Sequence, residues 1–174
     1  DAYGLAEGTA LDVAALFGDM ATAMGFSERE AAKMSTTLVG LAGDLASFKN
    51  IGIDQAQTAL KAIFTGETES LKNLGIVMTQ ANLNAYALAQ GINKTVQEMT
   101  QAEQVSLRYN YVMDMTRNAQ GDFARTSGGA ANTMRVFQES IKELGAEFGE
   151  NLIPMITPLI KDLTDFVKKL GDMD

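Results

Sequence analysis

The chain has 174 residues, 46% of them hydrophobic, a length and composition that suit one domain, or one domain with an extended arm, and argue against disorder throughout. The net charge is -8, and the fourteen lysines and arginines are scattered without a basic run, which argues against generic nucleic-acid binding because phosphate neutralisation needs clustered cations. There is no cysteine and no histidine, which removes disulfides, thiolate zinc sites, cysteine nucleophiles, Ser-His-Asp triads and imidazole ligands.

No run of 18 apolar residues suggests a membrane span, and the start has neither the basic residues nor the apolar stretch of a signal peptide. The chain begins at Asp1 rather than Met and stops at Asp174 after an amphipathic segment, and it reads as a piece of a longer polypeptide.

The periodicity is helical almost throughout. Thr9 is a candidate N-cap with Asp12 three residues on. Leu11, Ala14, Ala15 and Gly18 mark one face of the helix that follows, and Gly25 can end it in a left-handed conformation. Ser27-Glu-Arg-Glu30 is a capping box: the Ser hydroxyl can take the Glu30 amide while the Glu carboxylate reaches back to the Ser27 amide. The second helix carries Met34, Leu38, Leu41, Leu45 and Phe48 at spacings of three and four.

Asp54 is expected to start a third helix with the stripe Ala56, Ala59, Leu60, Ile63 and Phe64, ended at Gly66. Thr68 to Leu74 reads as a short helix closed by Gly75. Ile76-Val77-Met78 is the one extended stretch, too isolated to imply a sheet. Thr79 caps a helix with Leu83, Tyr86, Ala87 and Leu88, stopped at Gly91. Thr100-Gln-Ala-Glu103 is a second capping box, opening a helix with Val105, Tyr109, Val112, Met113 and Thr116 that fades near Gln120 and Gly121.

Thr126 to Gly129 is expected to turn, and Gly128-Gly129 is the strongest internal boundary. It divides a compact multi-helix module, residues 1–127, from a long amphipathic arm, residues 128–174. Pro154 and Pro158 each remove an amide donor, so the arm should kink near Ile153 to Thr157. The fold class is therefore all-α: an irregular bundle of short helices followed by a long, proline-kinked C-terminal arm. In that arm Ile141, Leu144, Phe148, Leu152, Ile156, Leu159, Leu163, Phe166 and Leu170 form one stripe with a mean step of about 3.6 residues, the period of a straight helix. The stripe suits packing on the chain's own helices, and equally self-association or continuation into a rod.

The remaining features read first as structural. Gly40 and Gly43 cost up to about 1 kcal/mol each inside a helix; close helix packing is preferred over a flexible point. Glu67 and Glu69 could do acid–base chemistry, but at a helix start they favour its dipole. Asp44 and Asp122 each read as a buried polar tether or N-cap, with Asp122 as N-cap of the segment that follows, and Phe123 as a core anchor. Arg108, Arg117, Arg125 and Arg135 pair with carboxylates or, if they share a face, form a basic strip. The ten methionines fill irregular gaps in the core.

Three groups of segments carry a family resemblance. They are Lys33-Met-Ser-Thr-Thr-Leu-Val-Gly-Leu-Ala-Gly-Asp-Leu-Ala-Ser-Phe48; Thr65-Gly-Glu-Thr-Glu-Ser-Leu-Lys72 with Gly75-Ile-Val-Met78; and Leu107-Arg-Tyr109 with Gly121-Asp-Phe-Ala-Arg-Thr126. In their order and spacing they resemble the shared domain of tail tape measure proteins of long-tailed bacteriophages and prophages, over about Phe26 to Leu170. The resemblance implies a structural, non-enzymatic virion protein without cofactors. It would be assembled in the host bacterial cytoplasm and held in the tail-tube lumen until ejection. The implied partners are the tail tube protein, tail assembly chaperones and tail-tip proteins, alongside self-association through the arm. Direct nucleic-acid binding is not expected. Two alternatives are a membrane-active helical protein aiding genome delivery, whose arm contacts a bilayer without spanning it, and a wall-degrading domain.

Overall fold

The computed structural model of the chain describes residues 7–126 and 128–129. Residues 130–174 of the expected arm lie outside the described residues, and with them the proline kink, Arg135 and the whole stripe from Ile141 to Leu170. The described residues are mostly helical and contain no strand. The helices are α1 (Glu7–Ala23), α2 (Glu28–Lys49), α3 (Ile53–Leu60), α4 (Ala62–Thr65), α5 (Glu69–Lys72), α6 (Gln80–Ala89), α7 (Gln101–Met115) and α8 (Asp122–Thr126). A 3₁₀ turn, Val96–Glu98, lies between α6 and α7.

Helix α2 is the hub, with α1, α3 and α8 packed on it. Its residues from Leu38 to Ala46 are buried without interruption. A helix buried all round needs neighbours on every side and small residues to admit them; Gly40, Ala42, Gly43 and Ala46 supply these. The buried glycines suit the packing role expected of them. One contiguous apolar cluster runs from Val13 to Ala119. Phe17, fully buried, stacks on Phe64 with ring centroids 6.0 Å apart, which ties α1 to α4. The Ser35 hydroxyl donates to the Ala14 carbonyl and fixes α1 against α2.

Helix ends follow the local chemistry closely. Ser27–Glu30 and Thr100–Glu103 both form the expected capping boxes, and the Thr79 hydroxyl accepts the Asn82 amide at 3.2 Å. A third box, Thr95–Glu98, opens the 3₁₀ turn with the same T-x-x-E spacing. Four helices end alike. At Gly25, Asn50, Gly75 and Gly91 the chain turns left-handed, and the next amide reaches back five residues: Phe26 to Ala21, Ile51 to Ala46, Ile76 to Leu71, Ile92 to Ala87. Each left-handed residue is followed by an apolar one, the arrangement in which that side chain folds back over its helix.

Several expectations are corrected. Thr9 is not an N-cap, because α1 already begins at Glu7. The buried face of α1 is Val13, Phe17 and Ala21, while Leu11 and Ala15 are exposed; the fully buried Phe17 stacks on Phe64, and that contact turns its face inward. Phe48 and Leu88 are exposed, not core. The third helix starts at Ile53, with Asp54 in its first turn, and breaks at Lys61 into α3 and α4; its stripe from Ala56 to Phe64 is buried throughout. Ile76-Val77-Met78 is, as expected, a non-helical stretch outside any sheet, and its side chains alternate: Ile76 and Met78 are buried and Val77 is exposed.

Candidate functional site

The sequence places its interaction stripe beyond Gly129, outside the described residues. Within the described residues, a groove lies between α6 and α7. It has a volume of about 790 Å³ and is lined by Tyr86, Ile92, Met99, Leu107, Met113 and Asp114, among others. Ile92 explains part of it. Its three counterparts at the other left-handed ends, Phe26, Ile51 and Ile76, pack on or within the core cluster, whereas Ile92 is 40% exposed and lines the groove. Leu88, one turn earlier, is more exposed still. A smaller hollow of about 260 Å³ lies beside Phe26, Met34 and Tyr109. The two share Ser106 and Asn110, one turn apart on α7.

A polar network fixes one end of the groove. The Tyr86 hydroxyl donates to Asp114 Oδ2 at 2.7 Å, and Arg117 Nη2 donates to Asp114 Oδ1 at 2.8 Å. Burial, then the hydrogen bond to Asp114 and its charge, push the Tyr86 phenol up to about 12. The same hydrogen bond, followed by that of Arg117, holds Asp114 below the usual carboxylate range. The Tyr86 ring meets Tyr111 edge-on at 5.3 Å, and the Tyr111 hydroxyl donates to the Val77 carbonyl at 2.9 Å. The Asn82 side-chain amide donates to that same carbonyl. The isolated extended stretch is thus held by side chains where a strand would use a ladder. At the other end Lys94 donates to Glu103 at 2.6 Å, and this contact, before the Thr100 amide, lowers the Glu103 carboxyl. The groove therefore has a mixed lining, with Ile92, Met99, Leu107 and Met113 beside Gln90, Ser106 and Asn110, and an ion pair toward each end.

The sequence candidates fall elsewhere. Glu67 and Glu69 are exposed; Glu69 sits in the first turn of α5 and pairs with Lys72 at 2.6 Å. The arginines form no strip among the described residues. Arg117 pairs with Asp114 and Arg125 with Asp122, as ion pairing predicts. Arg108 does something else: its guanidinium, half buried, donates to the carbonyls of Ile63 and Phe64 at 3.4 and 3.5 Å and to Gln104 Oε1 at 3.0 Å. It tidies the end of α4, where carbonyls lack helical partners.

Of the two roles expected of Asp122, it takes the polar tether and not the cap: α8 begins at Asp122 itself, and Asp44, on α2, caps it. Asp44 Oδ2 accepts the Gly121 amide at 2.7 Å and Oδ1 accepts the Phe123 amide at 3.1 Å. Asp122 instead accepts the Ser47 hydroxyl at 2.5 Å. Asp44 is the buried tether expected of it, and Phe123 is buried as expected. No sequence signal pairs Asp44 with residues 77 and 79 positions away.

Among the described residues no cluster of acidic side chains has the geometry of a metal site, and no helix is long and apolar enough to cross a membrane. Compared with family models, curated proteins and solved structures, the chain matches none.

Proposed function

We propose that this chain is a folded interaction module of a phage or prophage tail tape measure protein, followed by a proline-kinked amphipathic arm that leads toward, or joins, the ruler. The observation that carries the reading is how the three resembling segments converge. The first lies in the buried hub α2. The third meets it through Asp44 with Gly121 and Phe123, and through Ser47 with Asp122 and Thr126. The second meets the third where the Arg108 guanidinium lies against Gly66. Segments far apart in sequence thus form one contact system, which supports reading them as parts of a single structural unit over three coincidental matches.

A ruler works because a helix rises about 1.5 Å per residue, so chain length becomes distance. A bundle with caps and left-handed stops every ten to twenty residues cannot serve that way; it suits an anchoring or organising role at one end of a ruler. Self-association would run through the stripe Ile141 to Leu170, with the tail tube protein, assembly chaperones and tip proteins as further partners.

The test is genetic and structural. Removing residues 7–126 from the full-length gene in the encoding phage should abolish tails or make their length irregular, as counted by electron microscopy; normal tails of normal length would overturn the proposal. In solution, the 174-residue chain should self-associate and a version lacking 130–174 should not. Leakage of liposomes at neutral pH would favour the membrane-active alternative. Peptidoglycan clearing that disappears in Glu67→Gln or Glu69→Gln would favour the wall-degrading one.

A further inference from the structure

We infer that the groove face of α7 is self-complementary and pairs antiparallel with the same face of a second copy of this chain, about a two-fold axis at Asn110. Glu103, Ser106, Asn110 and Met113 on α7, and Arg117 just past its end, follow one another at spacings of three and four. They therefore share one side of the helix, and all five line the groove between α6 and α7. From Glu103 to Arg117 that side is about 21 Å long.

In an antiparallel pair centred on Asn110, residues equally far before and after it face each other. Glu103 then meets Arg117 of the second copy, Ser106 meets Asp114, and Leu107, at the base of the groove, meets Met113. Two-fold symmetry makes each of these contacts twice. The charges select this register. The Lys94–Glu103 pair, at 2.6 Å, comes against the Arg117–Asp114 pair, at 2.8 Å, so each end of the interface alternates in sign. The Glu103 and Arg117 side chains are 43% and 73% exposed, so each can take a second partner and keep its first. A parallel pair would instead set Glu103 on Glu103, Asp114 on Asp114 and Arg117 on Arg117, like charge against like. On the axis, two Asn110 side-chain amides can bond reciprocally, each donating to the other's oxygen, which pins register as an asparagine does between paired helices. Ile92, 40% exposed at the α6 side of the groove, gains apolar cover from the facing helix.

A face this short pairs weakly by itself, so the pairing rests on the self-association proposed above, which brings copies together. The chain has no cysteine, so a single introduced one reports only on itself. The measurement is disulfide formation under mild oxidation in the full 174-residue chain, with mass by light scattering on reduced samples. Asn110→Cys should cross-link at least about tenfold faster than Thr36→Cys, on α2, because the axis brings two copies of residue 110 within disulfide reach. Adding Arg117→Glu sets a carboxylate opposite Glu103 and should return the rate to that of Thr36→Cys. Adding Arg29→Glu instead makes the same change of net charge off this face and should leave the rate within about twofold. All four changed side chains are exposed, so the bundle stays folded. An oligomer in which Asn110→Cys cross-links no faster than Thr36→Cys would overturn the pairing and leave association through the arm standing. A fast cross-link that Arg117→Glu does not slow would overturn the antiparallel register. A monomeric chain would overturn the association itself, and the pairing that rests on it.

Discussion

The guanidinium of Arg108 lies directly beneath Gly66. A Cβ added to Gly66 would stand 3.0 Å from Arg108 Nη2, and Gly66 is itself left-handed at φ 77°. The glycine at the end of α4 therefore does two things: it turns the chain, and it leaves room for the arginine that satisfies the carbonyls of Ile63 and Phe64.

Gly66→Ala should destabilise the fold by about 1–2 kcal/mol from the left-handed backbone alone. Gly25→Ala, left-handed but with open space around it, provides the comparison. Urea unfolding should show Gly66→Ala to be at least as costly as Gly25→Ala. A smaller loss at Gly66 would mean that the arginine contact imposes nothing.

Phe17→Ala should cost about 3–5 kcal/mol, the range for truncating a buried aromatic side chain. Leu88→Glu, at an exposed site, should stay within about 0.5 kcal/mol of the wild type. Thermal melts of the two variants would check the corrected assignment of core and surface, since the sequence pattern alone ranks Leu88 with the core.

Acid should weaken the fold through its caps. The carboxyls of Glu30, Glu98 and Glu103 are lowered, chiefly by the Ser27 hydroxyl, the Thr95 amide and Lys94 respectively. A lowered folded value means that their contribution is fully present above the unfolded carboxylate range, about 4.3, and is lost as pH falls through the folded values. The urea midpoint should hold from neutral pH to about 5 and then decline. Glu98→Gln with Glu103→Gln should flatten that decline; an unchanged acid limb would remove these groups from the account.

Tyr86 should ionise near 12 in a spectrophotometric titration. Because its folded value is raised, its contribution to stability is present below the ordinary tyrosine value of about 10 and disappears as pH rises toward 12. Asp114→Asn removes the carboxylate charge and should bring the Tyr86 transition to lower pH. Tyr86→Phe should delete that transition from the curve.

Much of the local structure was legible because it is made by groups three to five residues apart. Ser27 with Glu30, Thr100 with Glu103, Thr79, and the stops at Gly25, Gly66, Gly75 and Gly91 could all be read from the chain, as could the all-helical character. Thr95 with Glu98 was readable by the same rule. Faces were less secure. In α1 small residues surround the apolar positions, and the rotation was resolved only when Phe17 met Phe64.

The sequence by itself determined the helix ends that are made locally, at Ser27–Glu30, Thr79, Thr100–Glu103 and the left-handed glycines, because there a cap and its partner travel together along the chain. Tertiary structure alone decided what those helices share. It sent the Asp44 carboxylate to the amides of Gly121 and Phe123, and the Arg108 guanidinium to the carbonyls of Ile63 and Phe64. It also left Ile92 at the mouth of a groove while burying Ile76. Such partners lie tens of residues apart, and no local rule links them; they meet because each packed helix brings its own unsatisfied ends to the contact.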